Sequence, residues 1–592
     1  MRKKCLMVAG VAAVSCLMGA VAMAAERFVA QQDPKASDDN PGTEAAPFKT
    51  IVGGLKGFKA GDTVYVKKGV YREGVILNPN GREKCPPVPS GKSYQQMTSL
   101  AAFPGDEVVI KGSDVIAGWK QHSDPAGAGA GKIWYTENAP KPTALPIIFC
   151  DDKRLNIIGD WSGTMSEMIM KMAGFDVWKG RKGSKLEELE ANSYFYDKAS
   201  NRLYVWLEDG SDPNSHQMEI TMRYGLSIDG SYMRVSGIKI LQAACGVGGS
   251  FNILENCESS DSAWVGAGVY GEFNTIIGCK FNRNGDSGMG GAGRGHRILN
   301  CETSYNNFLR INAGWHSGGC KFISFCSDWV VSGHVAAYNI ESPGIWFDWG
   351  NFNITIENSV LHHNGGPGIM IEISERATIR NNVCYENDGR GVYLSNSSDC
   401  QVLNNVFYHN GMSGLAAVGV SRGGGDFGDG KDQRLSARNN FVWGNIFYDN
   451  CHSDFAPKTM DGRDEPWTTR PELIMPDVHE INTGNFSDYN IYYRSPGRPM
   501  PFWFGWHLTL FKDLADWQAK TGNDKHSVIA QPLFVDLAKR DFRPASGSPA
   551  IDLVPPRMGN VYDMAGKRRP TNSKDKKPIR YTAGPFPFED KK

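Results

Sequence analysis

The chain contains many short segments in which apolar and polar side chains alternate, each bounded by asparagine or glycine. Clear examples are ATIRNNVCYEN, which begins at Ala377, and CQVLNNVFYHN, which begins at Cys400. Alternation with a period of two is typical of a half-buried β-strand, since successive side chains point to opposite faces. Asparagine and glycine favour tight turns. The pattern therefore predicts a succession of short strands separated by sharp corners.

The strands recur with a period of 22 to 24 residues. One series of corner residues comprises Asn256, Gly278, Asn300, Asn358, Asn381 and Asn404, and a second comprises Asn284, Asn306, Asn364, Asn387 and Asn410. A period of this length, with strands and no helical pattern, predicts an all-β fold, a right-handed parallel β-helix in which each coil stacks on the one before it. Stacked asparagines can hydrogen-bond one another and the bent backbone. A leucine-rich repeat has a similar period, but its leucine pattern is absent.

The periodicity divides the chain into segments. Regular coils are predicted over 225–450. The first coils and an N-terminal cap are expected over 25–115, and irregular coils with a tail over 451–592. Residues 116–224 break the period, and the alternation in YFYD and RLYVWL predicts a small β-rich domain inserted between early coils. One helix is expected near 508–520.

Residues 1–24 have the organisation of a secretory signal peptide. Basic residues occupy positions 2–4, an apolar run covers 6–21, and Ala-Met-Ala follows at 22–24. The sequence thus predicts a secreted or periplasmic protein, with lipid attachment at Cys16 as the alternative. No later stretch has the roughly 18 apolar residues that a membrane-spanning helix needs.

The charge balance narrows the expected partners. The chain has 64 Lys and Arg and 64 Asp and Glu residues, so its formal net charge is zero. This balance gives no electrostatic indication of nucleic-acid binding, and it disfavours a strongly polyanionic substrate. The oligomeric state stays open.

The cysteines follow the coil period. Cys257, Cys279 and Cys301 are 22 residues apart, which is a structural repeat and not a metal-ligand spacing. We expect a stack of small buried side chains, and we expect neither a metal nor a cofactor. A disulfide between Cys320 and Cys326 is left open.

Candidate chemistry lies where three coils are aligned on their glycines. GIWFDW begins at Gly344, GIMIEI at Gly368 and GVYLSN at Gly391. The fourth residue after each glycine is then Asp348, Glu372 or Ser395. Alternation places these three side chains on the outer face. Trp346, Met370 and Tyr393 form a second outward row.

Adjacent strands lie about 4.8 Å apart, so Asp348 and Glu372 should present neighbouring carboxyl groups. A separation of about 5–5.5 Å is that of a retaining glycosidase, whereas an inverting enzyme needs about 6.5–9.5 Å. Two carboxylates this close cannot both ionise easily, so one is expected to keep its proton and act as a general acid. Trp346 and Trp349 bracket Asp348 and offer aromatic faces to a sugar ring. The alternative is that both acids decorate a solvated surface and pair with nearby basic residues.

The runs GWHSGGCKF, GIWFDWGNFNITIENSV and GIMIEIS resemble the β-helix glycosidases of glycoside hydrolase family 120, which are β-xylosidases with an inserted domain. The resemblance implies that Asp348 is the nucleophile and Glu372 the general acid/base. It also implies that His316, in the upstream loop, contacts the sugar. The family commonly has an acid beside this histidine, where this chain has Ser317.

Further side chains are candidates for contacting a carbohydrate. Trp315 and Lys321 belong to the polar cluster around His316, and Tyr393 continues the outward aromatic row. Lys321 is a candidate for contacting substrate, for acting as a lyase base, or for a plain surface role. Trp161 is a candidate for covering one end of the groove from the inserted segment, or for packing in its small core.

The resulting hypothesis is a glycoside hydrolase that cleaves plant- or algal-type oligo- or polysaccharide. A polysaccharide lyase or epimerase on the same fold is the first alternative, and it would need a Lys, Arg or His base and usually Ca²⁺. A glycan-binding surface protein without catalysis is the second. The sequence does not decide the sugar, the linkage, or exo against endo action.

Overall fold

A computed structural model describes residues 25–588 of the chain, with gaps. The gaps are residues 83, 124–130, 141–145, 160–177, 179, 181, 420–436, 452–472, 476–483, 497–503, 507–508, 512, 557–561, 566 and 570–579. Trp161 and residues 1–24 therefore lie outside the described residues.

The first part of the chain contains one short helix and seven strands. They are β1 (Glu26–Val29), α1 (Ile51–Gly54), β2 (Thr63–Val66), β3 (Gly69–Tyr71), β4 (Val75–Leu77), β5 (Thr98–Ala102), β6 (Val108–Lys111) and β7 (Ser113–Val115). Thr50 caps α1 by accepting a hydrogen bond from the Gly53 amide. Ile51 is fully buried in the main core, so the short helix is held by packing.

The next strands form two small sheets of their own. They are β8 (Lys120–Gln121), β9 (Ile133–Thr136), β10 (Ile148–Cys150), β11 (Lys153–Arg154), β12 (Asn156–Ile158), β13 (Ser193–Asp197), β14 (Arg202–Trp206) and β15 (Met218–Thr221), with 3-10 turns at Leu186–Glu188 and Pro213–Ser215. One sheet has the order β11-β10-β15-β7 and the other β12-β13-β14-β9-β8. Side chains of both sheets pack together in an apolar cluster apart from the main core, with Ile148 and Met218 from one sheet and Tyr194 and Leu203 from the other. The Trp178 indole donates to the Leu309 carbonyl and ties this segment to a coil.

Regular coils then supply strands β16 to β41. They are β16 (Leu226–Ile228), β17 (Met233–Ser236), β18 (Ile238–Leu241), β19 (Cys245–Val247), β20 (Ile253–Glu255), β21 (Glu258–Ser260), β22 (Ala267–Val269), β23 (Thr275–Ile277), β24 (Ser287–Gly291), β25 (Arg297–Leu299), β26 (Glu302–Ser304), β27 (Gly318–Ile323), β28 (Val330–Ser332), β29 (Val335–Ala337), β30 (Ile345–Asp348), β31 (Thr355–Glu357), β32 (Val360–His362), β33 (Ile369–Glu372), β34 (Thr378–Arg380), β35 (Val383–Tyr385), β36 (Val392–Ser395), β37 (Gln401–Leu403), β38 (Val406–Tyr408), β39 (Leu415–Val418), β40 (Phe441–Trp443) and β41 (Ile446–Tyr448).

The last part of the chain continues the coils less regularly. Its elements are β42 (Leu473–Met475), β43 (Phe486–Asp488), β44 (Ile491–Tyr493), β45 (Phe504–Trp506), β46 (Thr509–Phe511), α2 (Leu514–Thr521), β47 (Val528–Ile529), β48 (Phe534–Asp536) and β49 (Asp541–Pro544), with a 3-10 turn at Leu537–Lys539. The helix expected near 508–520 is α2, which starts six residues later than expected because its N-cap is Asp513. It ends at Gly522, whose φ of 74° is left-handed.

Three parallel sheets run along the stack of coils. One has the order β1-β2-β5-β17-β20-β23-β25-β28-β31-β34-β37-β40-β43. A second, which we call the site sheet, has the order β4-β16-β19-β22-β24-β27-β30-β33-β36-β39-β42-β45-β46, with an antiparallel last pair. The third consists of β3-β6-β18-β21 and β26-β29-β32-β35-β38-β41-β44-β47, joined by bridges through Lys280. Inward residues of all three sheets share one apolar core, and the chain is a parallel β-helix.

The two asparagine series have different structural roles. Residues of the first series lie at corners in the left-handed region, with φ of 52° at Asn256 and 54° at Asn358. Asparagine and glycine tolerate this region best, which explains why Gly278, with φ of 64°, replaces asparagine in one coil. The second series forms the expected buried ladder. The Asn364 side chain donates to the side-chain oxygen of Asn387 at 2.8 Å, and the Asn387 side chain donates to that of Asn410 at 2.9 Å.

Replacing Asn387 with leucine should destabilise the protein by about 3–5 kcal/mol, because buried polar groups that lose their partners cost about 1–3 kcal/mol each. Asn387 is fully buried, accepts from the amide and side chain of Asn364, and donates to the Leu361 carbonyl. Urea unfolding measures the change. The matched control is Asn358→Gly, which keeps a left-handed corner and removes only 3.5 Å contacts. A similar loss in both variants would contradict a special role for the ladder.

The thiols of Cys257, Cys279 and Cys301 are free, buried and stacked through successive coils, as the spacing predicts. Cys320 and Cys326 are also free thiols, so no disulfide joins them.

Stability should fall on acidification because of His334. Burial lowers the pKa of His334 to about 3, and its Nε2 lies 2.8 Å from the Thr303 hydroxyl. Between pH 6.5 and 3 the unfolded chain therefore binds a proton that the folded chain does not, so stability is lost as the pH falls. The contribution at pH 4.5 is on the order of 2–3 kcal/mol.

The comparison is between urea unfolding at pH 7 and at pH 4.5. His334→Asn places in this coil the residue type found at Asn382 and Asn405, whose positions continue the same row. We expect the variant to lose less stability on acidification than the unaltered protein. Equal losses in both proteins would show that His334 does not contribute.

Candidate active site

Two outward rows cross the site sheet. The first comprises Ser227, Gly246, Gly268, Gly290, Lys321, Trp346, Met370, Tyr393 and Ala416. The second, two residues further along each strand, includes Ile323, Asp348, Glu372, Ser395 and Val418. Inward residues between them, including Phe347 and Ile371, are fully buried in the core. Alternation along the strand therefore sets the orientation of both rows.

Asp348 and Glu372 are register partners on β30 and β33, as the glycine alignment predicts. Parallel neighbours of this kind lie about 4.8 Å apart at the backbone. The Asp348 side chain is 18% exposed and Glu372 is 6% exposed. The two acids thus lie side by side on a partly covered part of the site sheet.

Lys321 is the basic neighbour of Asp348. Its ammonium lies 3.1 Å from a carboxylate oxygen of Asp348 and 3.3 Å from the centre of the Trp346 ring, and it donates to the Trp315 carbonyl at 2.5 Å. The side chain is only 2% exposed, so Lys321 is not a plain surface lysine. Lys321 lies on β27, the preceding strand of the sheet. The neighbours of Asp348 along its own strand therefore could not reveal this ion pair.

Two opposing effects act on the pKa of Lys321. Burial lowers its pKa from the ordinary lysine value, while the carboxylates of Asp348, Glu372 and Asp286 act in the opposite direction. An ammonium taken out of water needs such anionic neighbours to stay charged. Lys321 is therefore an integral part of the site.

Trp346 is almost completely covered, with 2% exposure. Its indole nitrogen donates to a Glu372 carboxylate oxygen at 3.1 Å, and the Lys321 ammonium covers one face of its ring. The Ser395 hydroxyl lies 3.5 Å from the other oxygen of Glu372. In this arrangement Trp346 orients Glu372 and Lys321, and it does not present an open face to a sugar as the sequence had suggested.

His316 is oriented by an acid that the sequence analysis missed. Its Nδ1 lies 2.5 Å from a carboxylate oxygen of Asp286, which is fully buried. Ser317 therefore does not leave the histidine without an acidic partner. The acid lies 30 residues upstream in the preceding coil, next to the glycine-rich run after Asn284. The coil of His316 contains a long loop before β27. The regular period of the sequence therefore could not predict that His316 and Asp286 meet.

The remaining candidates are distributed around this centre. Trp315 is half-buried and its ring centre is 5.1 Å from that of His316. Trp349 is half-buried and packs against Phe325 at 5.6 Å, beyond the end of β30. Tyr393 is half-buried, and the Arg390 guanidinium lies over its ring, 4.4 Å from the ring centre.

A separate group of metal-competent side chains lies on the segment between β10 and β15. It consists of Cys150, Asp151 and His216, whose ligand atoms all lie within 4.8 Å of one another. His216 Nδ1 already contacts the Asp151 carboxylate at 2.7 Å. The group belongs to the small sheets and not to the surface that carries Asp348 and Glu372.

Comparisons with known proteins agree with the fold. The family described as the right handed beta helix region matches residues 225–407 and 350–455. No curated protein matches the sequence. XylC, solved in complex with xylose, is similar with 14% identity, a TM-score of 0.60, and coverage of 96% of this chain and 99% of that chain. The prediction of a right-handed parallel β-helix is confirmed.

Two further solved structures match more loosely. Pectate lyase Pel9A has 14% identity, a TM-score of 0.41, and coverage of 95% of this chain and 96% of its own. The A-module of the Azotobacter vinelandii mannuronan C-5 epimerase AlgE4 has 14% identity, a TM-score of 0.40, and coverage of 85% and 100%. In the part of the chain that the structure describes, no helix has both the length and the apolar character needed to cross a membrane.

Proposed function

We propose that the protein is an exported glycoside hydrolase that cleaves plant- or algal-type oligo- or polysaccharide with retention of configuration. Asp348 is the nucleophile and Glu372 the general acid/base. The observation that carries the proposal is the register of these two acids on adjacent strands. A backbone spacing of about 4.8 Å is compatible with the carboxyl separation of about 5–5.5 Å that a retaining mechanism requires.

The surroundings of the two acids divide their roles. Asp348 has the Lys321 ammonium at 3.1 Å, which provides a counter-charge for a carboxylate nucleophile. Glu372 is the more deeply buried of the two acids, and the Trp346 indole nitrogen and the Ser395 hydroxyl lie beside its two carboxyl oxygens. Of two neighbouring acids that cannot both ionise easily, Glu372 is thus the one suited to carry the proton.

The reaction takes two steps. Glu372 donates its proton to the glycosidic oxygen while an Asp348 oxygen forms a bond to the anomeric carbon, and the bond to the leaving alcohol breaks. Glu372, now a carboxylate, takes a proton from water, whose oxygen attacks the anomeric carbon and releases Asp348. The sugar leaves with its original anomeric configuration, and the chemistry calls for no cofactor.

The substrate class draws support from two sources. The motif runs around Asp348 and Glu372 resemble the β-xylosidases of glycoside hydrolase family 120. XylC, the solved structure with a TM-score of 0.60, contains xylose. A β-xyloside is accordingly the first substrate to test.

The test is a screen of the purified chain against aryl glycosides, with the product anomer followed by proton NMR from the first minutes. A β-xyloside that releases β-xylose first supports the proposal. Immediate release of the α-anomer would contradict a retaining mechanism. Binding of sugars without turnover of any glycoside would instead identify a glycan-binding surface protein.

A polysaccharide lyase or epimerase is the second candidate, and one observation favours it. Lys321 is buried beside Asp348, and burial lowers its pKa, as in a lysine that acts as a base. A lyase would release unsaturated products that absorb in the ultraviolet, and EDTA would stop it if Ca²⁺ takes part. Neither effect is expected of the hydrolase.

A further inference from the structure

Three successive strands of the site sheet have glycine in the first outward row. Gly246, Gly268 and Gly290 are consecutive register partners, and the next residue in the row is Lys321. Glycine weakens a strand because it has no side chain to pack, so it often marks the close approach of another group. The strip of the sheet beside Lys321 therefore has no side chains on its outer face.

Two of these glycines, Gly268 and Gly290, line a cavity of about 780 Å³, which we call the glycine-floored cavity. The volume falls within the range of about 300–1,000 Å³ that is usual for pockets that hold small ligands. One wall consists of the corner segments 221–224, 242–245 and 262–265. His316 and Lys321 line the end of the cavity that lies nearest Asp348. The cavity thus extends the candidate active site toward the N-terminal coils.

Aromatic side chains occupy the space that the missing side chains leave. A Cβ atom on Gly246 would lie 2.7 Å from the Tyr224 hydroxyl, and one on Gly268 would lie 3.0 Å from the Tyr270 ring. Tyr224 is 47% exposed and Tyr270 is 54% exposed. Trp264 also lines the cavity, with its ring nearly parallel to that of His316. Exposed aromatic rings around a polar-edged cavity suit the apolar faces of sugar rings.

The polar groups of the cavity favour an uncharged ligand. Gln242 lines the cavity and is 3% exposed, and its side-chain oxygen accepts no hydrogen bond from the described residues, which leaves it as an acceptor for a hydroxyl group. Arg223 pairs with Asp114 at 2.5 Å, and Lys321 pairs with Asp348. Both cations that line the cavity therefore already have carboxylate partners. The carboxylate of a uronic acid would lose its hydration without gaining a new cationic partner, so a neutral sugar is favoured here.

We propose that the glycine-floored cavity binds additional units of a neutral oligosaccharide whose scissile bond lies at Asp348 and Glu372. The inference rests on the proposed function for the position of the scissile bond. The enzyme then prefers chains of several sugars over single aryl glycosides, since the added units gain contacts with Tyr224, Tyr270 and Gln242.

Gly290 offers the sharpest test because a side chain fits there without displacing the fold. A Cβ atom on Gly290 would meet its nearest neighbours at 3.4 and 3.7 Å, which are ordinary contacts. Gly290→Leu fills the floor of the cavity. Gly248→Leu is the matched control, since Gly248 is exposed directly after β19, is not part of the cavity lining, and also has only ordinary contacts.

Calorimetric titrations would use the full chain in the Glu372→Gln background, so that a bound oligosaccharide is not cleaved, with xylose, xylotetraose, cellotetraose and tetragalacturonate as ligands. We expect at least one neutral tetraose to bind 10-fold or more tightly than xylose and than tetragalacturonate. Gly290→Leu should weaken that binding by 10-fold or more, and Gly248→Leu should leave it unchanged. Tyr270→Ala removes an exposed ring and should also weaken tetraose binding. This second variant tests the cavity even if Gly290→Leu does not fold.

Three results would overturn the inference. The first is tight binding of tetragalacturonate alone, and the second is tetraose binding that is insensitive to both Gly290→Leu and Tyr270→Ala. The third is the absence of binding by every neutral tetraose at millimolar concentration. Failure of the proposed function looks different. In that case no aryl glycoside is turned over, while tetraose binding and its dependence on Gly290 remain.

Discussion

Replacing Asp348 with asparagine should lower kcat on an aryl glycoside by on the order of 10⁴-fold or more, as expected for the loss of a nucleophile. Asparagine has nearly the same size, so the fold should stay intact, but its amide cannot form the glycosyl ester. Glu372→Gln should lower kcat by about 10²–10⁴-fold, the usual contribution of a general acid/base. Steady-state kinetics with paired substrates of good and poor leaving groups measures both losses.

The two variants should differ in a diagnostic way. In Glu372→Gln, a good leaving group departs without acid assistance, and azide can attack the glycosyl-enzyme because it needs no deprotonation. We therefore expect azide to restore turnover and to yield a β-glycosyl azide. In Asp348→Asn, azide can only attack from the vacated face and yields the opposite anomer.

The control for this pair is Glu357→Gln. Glu357 lies on the neighbouring sheet in the same coil as Asp348 and forms an ion pair with Arg380. Such a pair contributes little to stability, and its loss should leave kcat unchanged. Full activity in either Asp348→Asn or Glu372→Gln would remove the hydrolase proposal.

Lys321→Met should lower kcat/KM by roughly 10²-fold or more and remove the basic limb of the pH profile. The ammonium at 3.1 Å balances the charge of the Asp348 carboxylate, and methionine cannot supply that charge. Burial lowers the pKa of Lys321, so in the unaltered protein the ammonium loses its proton, and kcat/KM falls, at a pH below the ordinary range of lysine. Methionine keeps the length of the side chain over Trp346. The measurement is kcat/KM from pH 4 to 9 in the variant and the unaltered protein.

The same variant separates the two candidate functions. If Lys321 positions and neutralises Asp348, the unaltered protein loses activity as Lys321 gives up its proton, and the variant keeps a reduced activity without that basic limb. If Lys321 is the base of a lyase or epimerase, no proton acceptor remains and activity is lost at every pH. A Lys321→Met variant with an unchanged pH profile would contradict the role that we assign to the ion pair.

The sequence was sufficient to predict the coil and the register of the two acids. Gly344, Gly368 and Gly391 begin coils of nearly equal length, so counting four residues from each glycine places Asp348 beside Glu372. Period-two alternation sends Phe347 inward and both acids outward. These features are local, because they depend on the pleat of a strand and on a repeat that returns to the same phase.

The tertiary structure alone decided which side chains surround the acids. Gly290 and Lys321 are register partners although they lie 31 residues apart, since the loop before β27 lengthens that coil. The ion pair of Lys321 with Asp348 and the contact of His316 with Asp286 both follow from this irregular coil. Likewise, Trp346 lies on the outward row yet is covered by Lys321 from the preceding strand of the sheet. Repetition fixes the direction of a side chain, but contacts across coils of unequal length depend on loop paths that no local pattern encodes.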